Sequence, residues 1–301
     1  ILSNKINFIP LKFLNGKVVF FNGENYVAVI KNAKIDLISK NNKKKYELKG
    51  DFLNDKIYIS LDKGKKDNNL FTELLIKMSD LNLLTKVSFN ESESEKNLTT
   101  GNILIKKGKQ RFAGIYSYKD NIIEIKKSNL RNVFLEGKLT GEVKFLPYFD
   151  FDLDLSLNSI NFTKLYTSFL SFNELDQKEL FKINKKLNGK LSLSSDKIYS
   201  SYNLIKSFES QIKLNNGNIL IEQFLLNLGK LGAADVLGTI SSDKKYSNFK
   251  YETNIFIDNQ KKFLSKFGIY NKKIIPTNLF VSGNFDLKNI KNTFYEVSDE
   301  K

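Results

Sequence analysis

The chain of 301 residues has no cysteine, no histidine and no tryptophan, with one methionine and three prolines. Without cysteine there is no thiolate nucleophile, no disulfide and no zinc–thiolate centre. Without histidine the commonest general base and the commonest metal ligand are missing. Most nucleophilic and metal-dependent mechanisms are thereby excluded, and the chain reads as non-enzymatic with no cofactor. The lack of cysteine also fits an oxidising compartment. No apolar run of about 18 residues occurs, so no membrane-spanning helix is expected within the chain. The opening "ILSNKINFIP" lacks the basic region and apolar stretch of a signal peptide. The first residue is Ile1, and any membrane anchor is expected upstream of it.

Arginine is scarce as well. The formal net charge is +15, yet of the 48 basic residues only Arg111 and Arg131 are arginine. Arginine supplies bidentate readout of bases and phosphates, whereas lysine is a solvated point charge. No nucleic-acid partner is therefore expected, and the lysines fit codon bias with weak attraction to anionic lipid head groups.

Period-two alternation of apolar and polar residues dominates the chain, interrupted by Asn, Gly and Lys-Asp turns. "GNILIKKGKQRFAGIYSYKDNIIEI" (101–125) predicts three strands joined at Lys107-Gly108 and Lys119-Asp120-Asn121. "QIKLNNGNILI" (211–221) predicts a hairpin with Asn215-Asn216-Gly217 at its tip. Helical signal is sparse. "NFTKLYTSF" (161–169) has Asn161 as a cap and Phe162, Leu165, Tyr166 and Phe169 on one face. "IDNQKKFLSKFG" (257–268) has Asp258 as a cap, Phe263 and Phe267 four apart, and Gly268 past its end. A third, weaker candidate is "ELDQKELFKINKK" (174–186).

The stretch "FDFDLDLSL" (149–157) places Phe149, Phe151, Leu153, Leu155 and Leu157 on one face of a strand. Asp150, Asp152, Asp154 and Ser156 take the other. It follows "LEGKLTGEVKF" (135–145), which alternates equally well, and the two predict a hairpin. Carboxylates two apart on an extended strand stand about 7 Å from one another. A carboxylate-only Ca²⁺ or Mg²⁺ site instead needs a tight oxygen-rich loop. The aspartates are therefore read as the solvated side of the strand, and the apolar side as the informative one. In a closed sandwich that side is core; in an open sheet it is a hydrophobic trough.

Gly-turn and strand phrases recur at a spacing of roughly 100 residues, which points to a repeat architecture. The phrases run from Asn15-Gly16 to Gly50, from Thr100-Gly101 to Gly137 and from Asn216-Gly217 to Gly238. They divide the chain into an N-terminal β-groove segment (1–98), a middle β repeat with short helices (99–188) and a C-terminal β repeat (189–301). The succession from Ile9-Pro10-Leu11 onward, and "LNGKLSLSSDKIYSSYNLIKSFESQIKLNNGNILIEQFLLNLGKLGAADVLGTI" (187–240), resemble the AsmA-like family. The resemblance covers nearly the whole chain, through Gly-turn phrases that many β-repeat proteins share. It implies a mainly β fold, with elongated antiparallel repeats forming a curved, taco-like groove and a few short helices. It also implies a protein of the Gram-negative periplasm, held to the inner membrane by an upstream helix absent from this chain. Relatives such as TamB and YhdP are implicated in phospholipid movement and outer-membrane integrity.

On this reading phospholipids or other acyl lipids are the partners, with envelope proteins as further partners. Acyl chains lie on the apolar stripe while head groups stay near a lysine-rich rim. The stripe residues are Leu139, Val143, Phe145, Phe149, Phe151, Leu153, Leu155 and Leu157. Phe249, Tyr251, Ile255 and Ile257 form the equivalent stripe of the second copy. Ordinary core is an equally open reading for each of them. The rival function is a structural or scaffolding envelope module with a closed core and protein partners; a surface adhesin is a more distant one.

Overall fold

The computed structural model describes residues 11–22, 25–40, 43–53, 55–66, 69–91, 98–144, 149–171, 187–201, 203–240, 248–268, 270, 277–286 and 291–299. They form two compact units, Ile1–Asn132 and Val133–Lys301. The sequence segments divide at 98/99 and 188/189 because they follow repeat phrases, which mark strand succession and not packing. Mainly β structure, antiparallel pairing, open sheets and only two short helices among the described residues agree with the fold class expected from the sequence.

Unit 1 is an antiparallel meander of β1 (Leu11–Asn22), β2 (Asn25–Lys40), β3 (Lys43–Phe52), β4 (Asp55–Lys66), β5 (Asn69–Met78), β6 (Leu83–Glu91), β7 (Thr99–Lys107), β8 (Gln110–Lys119) and β9 (Ile122–Arg131). The turns expected at 108 and 119–121 are present. Asp120 and Asn121 both take positive φ (49° and 66°), the combination that a two-residue hairpin needs. Two other phrases differ from expectation. Asn15-Gly16 is not a turn but an irregularity inside β1, where the register with β2 shifts between Phe13 and Gly16. Thr100-Gly101 lies inside β7, paired with Ser117 and Tyr116. Ile30, Ala33, Ile57 and Met78 are the buried core of this unit, flanked on the same face by Val18, Leu48, Ile59 and Ile76.

Unit 2 begins with the expected hairpin, β10 (Leu135–Lys144) and β11 (Asp150–Asn161), and continues into helix α1 (Phe162–Leu170). Here the chain departs from a pure meander. The connection 162–188 returns it to the start of the sheet, so that β12 (Gly189–Ser195) and β13 (Ile198–Tyr199) pair parallel with β11. Antiparallel pairing resumes through β14 (Ser207–Asn215), β15 (Asn218–Asn227), β16 (Gly232–Ile240), β17 (Asn248–Ile257), β18 (Asn278–Asp286) and β19 (Lys291–Asp299). Helix α2 (Gln260–Lys266) follows β17. The β14–β15 tip is the expected one, with Asn216 and Gly217 at φ 51° and 85°.

Both helices form where their caps predict, with one correction. Asn161 Oδ1 accepts from the Lys164 N–H of α1 at 2.9 Å. The cap of α2 is Asn259, not Asp258: Asn259 Oδ1 accepts from the Lys262 N–H at 3.1 Å. Gly268 takes the positive φ (72°) expected just past the end of α2. Phe162, Leu165, Phe263 and Leu264 turn inward onto the sheet, whereas Tyr166 is exposed. The candidate helix at 174–186 lies outside the described residues.

Candidate functional site

Alternation decides what each face of unit 2 presents, and the registers join these choices across the sheet. One row of directly paired residues runs Gly141, Leu153, Leu191, Ile212, Ile221, Gly238, Tyr251 and Gly283, from β10 to β18. A second runs Gly137, Leu157, Ser195, Phe208, Leu226, Ala234, Ile255 and Leu279 on the same face. No paired residue in either row is charged. At a strand spacing of about 4.8 Å, each row is a path of roughly 34 Å across the strands.

The two rows differ in what covers them. The second lies at the end of the strands where α1 and α2 sit. There Leu157 and Phe208 are 3% and 4% exposed, packed with Ile160 and Ile198 beneath Phe162 and Leu165 of α1. Ile257 joins Leu228, Leu231 and Phe263 of α2 in an adjoining cluster. In the first row Leu153, Leu191, Ile212, Ile221 and Tyr251 are half-buried. The apolar face is thus capped by helices at one end and leaves a half-buried apolar surface toward the other.

The sequence-derived residues divide along this gradient. Leu157 and Ile257 are under the helices, with Leu155 and Ile255 packed against the same clusters. Leu139, Val143, Phe149, Phe151, Leu153, Phe249 and Tyr251 lie half-buried. Phe145 falls outside the described residues. The structure joins the two stripes into one face by adding Leu191, Ile212, Leu214, Ile219 and Ile221, which lie between them. Their signal in the sequence is the same alternation, in "KLSLS", "QIKLN" and "NILIE".

Aromatic rings close the gaps that glycines leave in this face. The ring of Phe151 lies against Gly189, and that of Phe249 against Gly238, where a Cβ would collide with it. Phe249 and Tyr251 stack at 5.7 Å between centroids. The Tyr251 hydroxyl passes Gly283 and meets the Asn292 side-chain amide at 2.8 Å.

The opposite face is charged over β10 to β12 and mixed beyond them, where Leu220, Leu225, Leu237 and Phe256 stand exposed among Lys213, Glu209 and Glu252. Asp150, Asp152 and Asp154 are exposed there, as the sequence predicts, with Lys144 paired to Asp150 and Lys190 to Asp152. Ser156 Oγ donates to Asp154 at 2.6 Å. The lysines of these strands, including Lys138, Lys213 and Lys250, project from this face instead of rimming the apolar one, because each alternates with an apolar neighbour. A shallow hollow of about 540 Å³ on this side is walled by Leu220, Leu237 and Tyr295 together with Glu222, Lys250 and Glu252.

The resolved shifts in ionisation belong to unit 1. On its charged face the Lys45 ammonium and the Tyr58 hydroxyl hydrogen-bond Glu47 and hold its carboxyl below the usual range. Asp55 is 4% exposed. Burial pushes its carboxyl up, but the N–H groups of Asp80 and Leu81, which donate to it at 2.9 and 3.1 Å, outweigh this and leave it below the usual range. These contacts are structural: Asp55 ties the β5–β6 turn to the start of β4.

Among the described residues no group of three or more His, Cys, Asp or Glu side chains converges on a point. Comparison with protein-family models, with curated proteins and with solved structures finds no match, so the meaning of the apolar face rests on its own residues.

Proposed function

We propose that the apolar face of unit 2 holds the acyl chains of a phospholipid or another acyl lipid, and that the protein works by binding, without catalysis. The observation that carries this reading is the row from Gly141 to Gly283, uncharged across all of its strands and half-buried where it is not glycine. Such a surface binds by excluding water, at about 0.8 kcal/mol for each CH₂ buried. The lipid head group stays in solvent at the edge of the sheet, since the face offers it no ionic partner. The AsmA-like resemblance supplies the setting: the Gram-negative periplasm, an upstream inner-membrane anchor, and a role in outer-membrane biogenesis and integrity.

Mass spectrometry of lipids extracted from gently purified protein tests this reading. Wild type carries phospholipid, and Leu153→Asp loses it while circular dichroism shows a folded chain. Lipid-free wild type that is well folded would instead favour a scaffolding module whose apolar face meets protein.

A further inference from the structure

The connections at the helix-capped end of unit 2 hold large aromatic and apolar side chains outward among lysines. Tyr166 and Leu170 of α1 are each 50% exposed, Tyr199 of β13 is 55% exposed, and Phe267 and Tyr270 after α2 are 55% and 71% exposed. All belong to connections that leave the same end of the strands, because β11, β12, β15 and β17 end there and β14, β16 and β18 start there. The connections are tied together. Thr163 of α1 hydrogen-bonds Ser201 at 3.1 Å, and Ile205 and Leu226 pack against the cores under both helices.

The charges of these connections are one-sided. Lys261, Lys262 and Lys266 face solvent on α2 while Phe263 and Leu264 turn inward. Lys164, Lys197, Lys206 and Lys230 are exposed on the neighbouring connections, against Asp196 and Asp258 among the described residues. Aromatic rings with a polar tip, set among lysines, suit the boundary between acyl chains and anionic head groups. A nucleic-acid partner would call for arginine, and these connections contain none.

We infer that this end of unit 2 docks on an anionic lipid bilayer surface, with Tyr166, Tyr199, Phe267 and Tyr270 entering the head-group layer and the lysines meeting lipid phosphates. The inference does not use the apolar sheet face, so it stands or falls separately from acyl-chain binding.

Co-sedimentation of the full chain with vesicles decides it, using phosphatidylcholine alone and with about a third phosphatidylglycerol. The chain binds the anionic vesicles and not the neutral ones. Reversing Lys261, Lys262 and Lys266 to Glu lowers that binding at least about tenfold. Phe267→Ser with Tyr270→Ser weakens it and removes the part that survives added salt. The same reversal at Lys106, Lys119 and Lys127, on the strands of unit 1, changes it less than about twofold, and Leu153→Asp leaves it intact. Equal loss from the unit 1 reversal would overturn the inference in favour of unspecific attraction to a basic protein. Equal binding to neutral vesicles would overturn it as well, and so would binding to a polyanion such as heparin without binding to vesicles.

Discussion

Tyr251 of β17 reaches across Gly283 of β18 and meets Asn292 of β19, so that one side chain spans three strands. The absence of a side chain at Gly283 makes room for it: a Cβ there would stand 2.8 Å from the hydroxyl oxygen. Tyr251 therefore belongs to the frame of the apolar face as well as to its surface. Gly283→Val forces the ring off this path and destabilises unit 2 by about 1–3 kcal/mol. Tyr251→Phe keeps the ring and loses only the hydrogen bond, at about 0.5–1.5 kcal/mol. Urea unfolding of the two variants measures both, and the order Gly283→Val above Tyr251→Phe is the expected one.

Leu153 and Leu157 lie four residues apart on the same face of β11 and are expected to respond differently. Leu157 is enclosed by Ile160, Ile198 and Phe208, so Leu157→Ala leaves a cavity and costs about 2–5 kcal/mol. Leu153, between Gly141 and Leu191, is half-buried, and its replacement by Asp acts on lipid occupancy more than on stability. Thermal unfolding beside lipid extraction separates the two effects.

Replacing Asp150, Asp152 and Asp154 together by Asn leaves stability within about 0.5 kcal/mol and leaves bound lipid unchanged. All three are exposed on the side opposite the apolar face. Calorimetric titration of wild type with Ca²⁺ or Mg²⁺ shows no heat of binding attributable to this row.

Asp55 makes part of the stability sensitive to acid. Its carboxyl is more acidic in the fold than in the unfolded chain because the Asp80 and Leu81 N–H groups outweigh its burial. The stability it contributes is complete above the unfolded-chain value of about 3.9 and is lost as pH falls through the lower folded value. Asp55→Asn is therefore less stable than wild type at neutral pH, and its stability varies less as pH drops below about 4. Denaturant titrations at several acidic pH values measure the difference in slope.

Much of this architecture is legible in the sequence, because strands with one apolar face write their period directly into it. The hairpin of 135–144 with 150–161, the tips at 108, 120–121 and 216–217, and the helix after Asn161 all follow from local chemistry. The parallel pairing of β11 with β12 does not, since it depends on where a long connection brings the chain back. Asn15-Gly16 reads as a turn but sits in a strand, because positive φ at Asn15 (57°) serves a bulge as well as a hairpin. The stripe at 149–157 and the one at 249–257 are each visible alone. Their union into one row required the registers through Leu191, Ile212 and Ile221, which no local pattern contains. Nor does the pattern tell Leu157 from Leu153; the helices decide that.

Lipid held on one face of this sheet is read out residue by residue by photo-crosslinking. A photoreactive phenylalanine analogue placed at Leu191 or Ile212 looks onto the apolar row, whereas at Ser192 or Gln211 it looks the opposite way from the same strands. Phospholipid adducts are expected from Leu191 and Ile212 and none from Ser192 and Gln211. Adducts without this alternation, or none at any position in a chain that remains folded, would contradict this placement of the lipid.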